Sequence, residues 1–302
     1  MKKLIGNTKA FALTLGILAS LCVLTSFSGI ATAHDLPAGE KCQINSPKSF
    51  TSWSDEGLDV ALSHIACVWS EHPVLLIGET HGADQPLDLV TALIERQSKS
   101  SKLAIGLELP SIEDERLSQF LTTPITKQST DALLSGKFWS SNDGRASQSL
   151  VRFLTRVNAL KKIGRDIEVF GMEDLTSKPR SKNPAANKEL GMAEILKNRA
   201  KLGRKIIAVG GDFHMRIEDP ESPSSTSVPS QLQVLSPYVL YLSSTHGAAW
   251  TCATMSDCGV HERPQGTVSP SDEATLEPAS AHGIYVEKID LPLLTASPPA
   301  KI

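Results

Sequence analysis

An α/β fold, with a mostly parallel central sheet and helices on both faces, is what this sequence predicts. Three observations lead there. Short apolar runs of strand type recur along the chain, stretches of helical periodicity separate them, and several runs end at a glycine followed by acidic or histidine side chains. The chain has 302 residues, of which 40% are hydrophobic and 21% charged, enough to bury a full core and too mixed in charge for a disordered chain. Its net charge of −3 lacks the basic excess of a dedicated nucleic-acid binder.

The first 33 residues read as a secretory signal peptide. Lys2, Lys3 and Lys9 precede an apolar stretch from Phe11 to Leu24, and Ala31-Thr32-Ala33 offers a small-residue cleavage site. That stretch is short for a membrane span, which takes about 20 residues. A lipoprotein anchor at Cys22 would follow the bulky Leu21, a poor fit. The expected product is exported, periplasmic or secreted, with no stable membrane span after cleavage. It comprises one domain over residues 34–294 and a flexible tail over Thr295–Ile302. Cleavage leaves Cys42, Cys67, Cys252 and Cys258, an even number that in an exported chain reads as two disulfides. Three connectivities are open, and pairing Cys42 with Cys67 and Cys252 with Cys258 closes two local loops. No Cys-x-x-Cys supports a zinc site.

The elements follow in order. Pro73–Ile77 is a short apolar run closed by Gly78, suited to a buried parallel strand. Leu87, Val90, Leu93 and Ile94 then recur at helical spacing. Leu103–Leu109 is the next strand, stopped by Pro110. Ile112–Leu121 and Gln148–Ile163 have helical periodicity, Ile167–Phe170 is strand-like, and Ala185–Leu202 is rich in helix formers. Lys205–Val209 is another apolar run, closed by Gly210-Gly211, and Tyr238–Leu242 and Ile284–Ile289 are later strands. Clusters of Pro, Ser and Thr at Thr176–Pro184, Pro220–Ser230 and Pro264–Ser280 read as loops.

In an open α/β sheet, ligands bind outside the carboxyl ends of the parallel strands. Gly78-Glu79-Thr80-His81-Gly82 follows the first run, Gly171-Met172-Glu173-Asp174 the third, and Gly210-Gly211-Asp212-Phe213-His214 the fourth. The second run carries Glu108 near its own end. Four strands thus deliver acids, and two of them histidines, to one edge. A lone acid after a strand is often a helix cap, and a lone histidine is often a satisfied core residue. Glu108 escapes that account, because an unpaired carboxylate inside an apolar strand is costly to bury. His81 and His214 escape it together, each in a Gly-x-x-His context at an equivalent strand end. His246, after a later strand, has a weaker context.

GETHG, the GLELP strand and the later GGDFHMR resemble the superfamily that includes Tiki proteases, TraB-type proteins, erythromycin esterases and ChaN-like haem-binding proteins. The resemblance runs from about Pro73 to about Thr245. Phe138-Trp139, Asp143-Gly144-Arg145 and Ser147, Trp250-Thr251-Cys252 with Cys258-Gly259, and the terminal TASPPA resemble exported members of unsettled function. The resemblance implies an exported hydrolase acting on a small-molecule or peptide substrate. In its Tiki-like form, His81, Glu108, Asp212 and His214 would hold a divalent metal (Mn, Co or Zn) that activates water. In its esterase-like form, His81 would be the general base, oriented by Glu79 or Glu108, with Arg145 at a developing oxyanion. A plain surface salt bridge is the competing account of Arg145. ChaN-like relatives imply haem held by His81 or His214, against which stand 5% aromatic content and only three tyrosines, all in expected strands. A non-catalytic interaction protein on the same fold is the third alternative.

Overall fold

The computed structural model describes residues 48–51, 55–175, 181, 184–217, 227–244, 246–254, 256–262, 273–281, 284–291 and 293–301. The expected signal segment and Cys42 lie outside them. In chain order the elements are β1 (Lys48–Thr51), α1 (Asp55–Ser70), β2 (Val74–Glu79), α2 (Gln85–Gln97), β3 (Leu103–Pro110), α3 (Asp114–Thr122) and α4 (Lys127–Leu134). There follow α5 (Gln148–Lys162), β4 (Ile167–Glu173), α6 (Pro184–Ala200), β5 (Lys205–Gly211), α7 (Asp212–Met215) and α8 (Val228–Gln231). The chain ends with β6 (Tyr238–Ser243), β7 (Ala248–Thr254), β8 (Asp257–Glu262), β9 (Glu273–Ala281) and β10 (Ile284–Asp290).

One sheet has the order β1-β9-β10-β6-β2-β5-β3-β4. Six strands from β10 to β4 run parallel, and β9 and β1 extend one edge antiparallel. Alternation along β2 shows how two apolar layers arise from one strand. Leu75 and Ile77 face the core beneath α1, α2, α3 and α5, while Val74 and Leu76 face the core beneath α6 and α8. A strand buried on both faces must be apolar throughout, which is why PVLLI is continuous rather than alternating. No helix among the described residues is long and apolar enough to cross a membrane.

Two expectations need correction. The stretch Pro264–Ser280, read as a loop, ends inside β9, where backbone pairing with β10 outweighs a local composition rich in Pro and Ser. The tail, read as loose, is a strap bound across two loops. Ser297 N–H donates to Gly82 O at 2.7 Å and Ala300 N–H to Ala146 O at 2.9 Å. Asp84 N–H donates to Thr295 O at 3.0 Å and Gln148 N–H to Pro298 O at 2.8 Å. Ser297 has no exposed surface and accepts from Ser149 N–H. Small, apolar and Pro-rich sequence looks like a tail when its partners are distant in the chain. Deleting residues 295–302 should therefore cost several kcal/mol, at about 1 kcal/mol per backbone bond lost. A urea midpoint unchanged by the deletion would refute this.

Cys252 and Cys258 form a disulfide across facing positions of the β7–β8 hairpin. Cys67 is also disulfide-bonded.

Candidate active site

The four strands that carry the candidate residues lie side by side as β2-β5-β3-β4. Because β5 enters between β2 and β3, the end of β3 faces the Gly210-Gly211 end of β5, and β2 brings His81 to the same place. Gly211 is required there: a Cβ on it would stand 2.8 Å from His81 Nε2. Its N–H donates to Glu108 Oε2 at 2.7 Å. The bare backbone thus admits both an imidazole and a carboxylate.

His81 sits between two carboxylates. Nδ1 pairs with Glu79 Oε1, and Nε2 lies 3.2 Å from Glu108 Oε2. Burial lowers the pKa of the ring, but the Glu79 charge and the hydrogen bonds and charge of Glu108 overcome it and raise it to about 10. Glu108 is 7% exposed. Burial pushes its carboxyl upward, yet His81, Lys188 and His214 together hold it far below the usual carboxylate range.

On the other side of Glu108, Lys188 Nζ donates to Oε1 at 2.7 Å and also contacts Glu173 Oε1 at 2.7 Å. Arg145 Nη1 donates to the same Glu173 oxygen at 2.8 Å and stands 3.8 Å from Glu108 Oε1. Asp143 anchors the guanidinium, accepting from Nη2 at 2.7 Å and Nε at 3.0 Å. Arg145 is therefore part of the site rather than a plain surface pair. His214, presented by α7, pairs through Nδ1 with Glu189 Oε1 at 2.6 Å. Its Nε2 lies 3.5 Å from Glu108 Oε1. His81, Glu108, Arg145, Lys188 and His214 line a pocket of about 450 Å³, to which Phe213, 64% exposed, adds a phenyl ring.

The structure thus brings together Glu79, His81, Glu108, His214 and Arg145. Asp212 also lines the pocket, but its Oδ1 lies where a Cβ of Gly78 would point, at 2.9 Å, and so on the face of β2 opposite Glu79. His246 does not line the pocket. Sequence reasoning missed Lys188 and Glu189, which α6 supplies. The one local signal would have been a Lys-Glu pair in a helix leading into the strand that bears the second motif.

The donor set does not fit a divalent metal. The oxygens of Glu108 already meet Lys188, Gly211 N–H and His81, and Nδ1 of each histidine is held by a glutamate. Lys188 and Arg145 are the cations already paired with Glu108 and Glu173. Among the described residues, no group of three or more His, Cys, Asp or Glu side chains is arranged to hold an ion. Haem fits no better, since the pocket is lined chiefly by charged side chains. Tyr238 and Tyr285 donate to Glu287, and the Tyr241 hydroxyl accepts from Ile217 N–H and donates to Met215 O.

No family model matches this sequence, and no curated protein matches it. Among solved structures, an erythromycin esterase variant in its open conformation superposes with a TM-score of 0.54 at 10% identity, over 82% of this chain and 95% of that one. A succinoglycan biosynthesis protein superposes at 0.55 and 10% identity, over 80% and 92% of the two chains. The haem-binding ChaN of Campylobacter jejuni superposes at 0.39 and 15% identity, over 61% and 85%. The α/β architecture predicted from the strand runs is therefore the fold of erythromycin esterase.

Proposed function

We propose that the pocket hydrolyses an acyl bond of a small-molecule or peptide substrate, with water as nucleophile and without a metal. The carrying observation is His81, which lines the pocket with Nδ1 held by Glu79 and Nε2 beside Glu108. The neutral ring takes a proton from water as the water oxygen bonds to the carbonyl carbon. Arg145 and Lys188 face the negative charge that develops on the carbonyl oxygen. When the bond to the leaving group breaks, the proton held by His81 passes to the leaving oxygen or nitrogen, restoring the ring. His214, held by Glu189, is a second imidazole in reach of Glu108. Export belongs to the same proposal. The Cys252–Cys258 disulfide supports it, because disulfides persist in oxidising compartments.

A panel of esters, lactones and peptides, assayed with purified protein in the presence of a chelator, tests this reading. Hydrolysis at an undiminished rate is expected. Loss of activity in chelator with restoration by Mn²⁺, Co²⁺ or Zn²⁺ would overturn the metal-free mechanism, and no turnover across the panel would overturn the hydrolase assignment.

A further inference from the structure

The hairpin β7–β8 lies outside the main sheet, yet its backbone meets the two loops that carry His81 and Arg145. Those loops cross at Gly82 and Gly144, whose φ angles of 72° and 88° lie in the left-handed region. A Cβ on Gly82 would stand 2.0 Å from Trp250 O, and one on Gly144 would stand 2.3 Å from the same oxygen. The Trp250 carbonyl thus occupies a notch made by two bare α-carbons. Trp250 N–H donates to Gly82 O at 2.8 Å, and its indole N–H donates to Asn142 O at 3.1 Å. One residue of the hairpin therefore ties both loops. His81 directly precedes Gly82, and Arg145 directly follows Gly144.

We propose that the disulfide-closed hairpin is a positioning element of the site, setting the place of His81 relative to Arg145 through Trp250. This rests on the hydrolytic reading of the pocket. A two-stranded ribbon alone is marginally stable, so strand β7 needs a restraint to keep Trp250 in its notch. Cys252, two residues beyond Trp250, is bonded to its facing partner Cys258 and supplies that restraint. A dithiol reductant would break the S–S bond, leave a thiol with its proton on each cysteine, and itself become a disulfide. The loops would then lose a shared anchor. The C-terminal strap ties the same loops separately, through Ser297 N–H on Gly82 O and Ala300 N–H on Ala146 O, so the loops should loosen rather than come apart.

The test compares the full chain with the Cys252→Ser/Cys258→Ser double variant, which leaves the disulfide at Cys67 in place. Hydrogen exchange read by mass spectrometry should rise about tenfold in peptides covering Gly82–Asp84 and Asn142–Ser147, and not in β3. On any ester the protein hydrolyses, kcat should fall about tenfold or more, with KM held within about twofold. Gly144→Ala, with the disulfide intact, should give the same split, and it keeps the proposal testable if the double variant does not fold. Unchanged exchange in both loops would overturn the proposal, as would faster exchange with kcat preserved. Faster exchange in a protein that hydrolyses nothing would support the hairpin's hold on the loops and count against the hydrolase reading alone.

Discussion

His81→Gln is expected to lower kcat by about 10²–10⁴-fold, the usual contribution of a positioned general base, with a much smaller change in KM. Glutamine is the informative replacement because its amide can still donate a hydrogen bond to one of the flanking carboxylates. Truncation to alanine would leave Glu79 and Glu108 without the cation between them, adding a folding defect to a catalytic one. Glu108 keeps Lys188 and the Gly211 N–H in either variant, so the far side of the pocket stays assembled. Steady-state kinetics on purified, folded variant decides the matter. A loss below about tenfold would remove His81 from the role of base.

The second large effect is on pH. With its pKa at about 10, His81 is an imidazolium at neutral pH, and only its neutral form can accept a proton from water. The rate should therefore climb with pH well beyond neutrality. Glu79→Gln removes the charge that opposes burial most strongly, so the ascending limb should move to lower pH. A rate that falls as pH rises through the same range would show His81 acting as proton donor instead. The linked stability has a defined sign. The raised pKa contributes stability that is fully present below 6.5 and is lost as pH rises through about 10. Glu108, held low by its cationic neighbours, contributes stability present above its unfolded pKa and lost as pH falls. NMR titration of the His81 ring in both proteins reads the shift independently of turnover.

The strands, and Glu79, His81, Glu108 and His214 at their ends, were legible because they depend on local pattern, whereas Arg145 was singled out only through the family resemblance. A continuous apolar run such as Leu103–Leu109 can be buried on both faces only in a parallel sheet, and a glutamate inside it demands a partner. The hairpin and the strap were not legible in the same way. Their anchors, Trp250 on Gly82 and Ser297 on Gly82, link residues more than 160 positions apart, and nothing in their own composition marks them as structural. Lys188 and Glu189 read locally as ordinary polar residues of a helix.

The sequence by itself determined that Glu79, His81, Glu108 and His214 would reach one edge of one sheet, since strand alternation and glycine terminators leave the chain few alternatives there. Tertiary structure alone decided their chemistry. Inserting β5 between β2 and β3 places Glu108 against Gly211 and His81. Packing α6 over that edge brings Lys188 to the carboxylates of Glu108 and Glu173 and pairs it with both. Which charges become neighbours depends on strand order and helix packing, and a buried cluster takes its protonation from those neighbours rather than from the motif that supplied it.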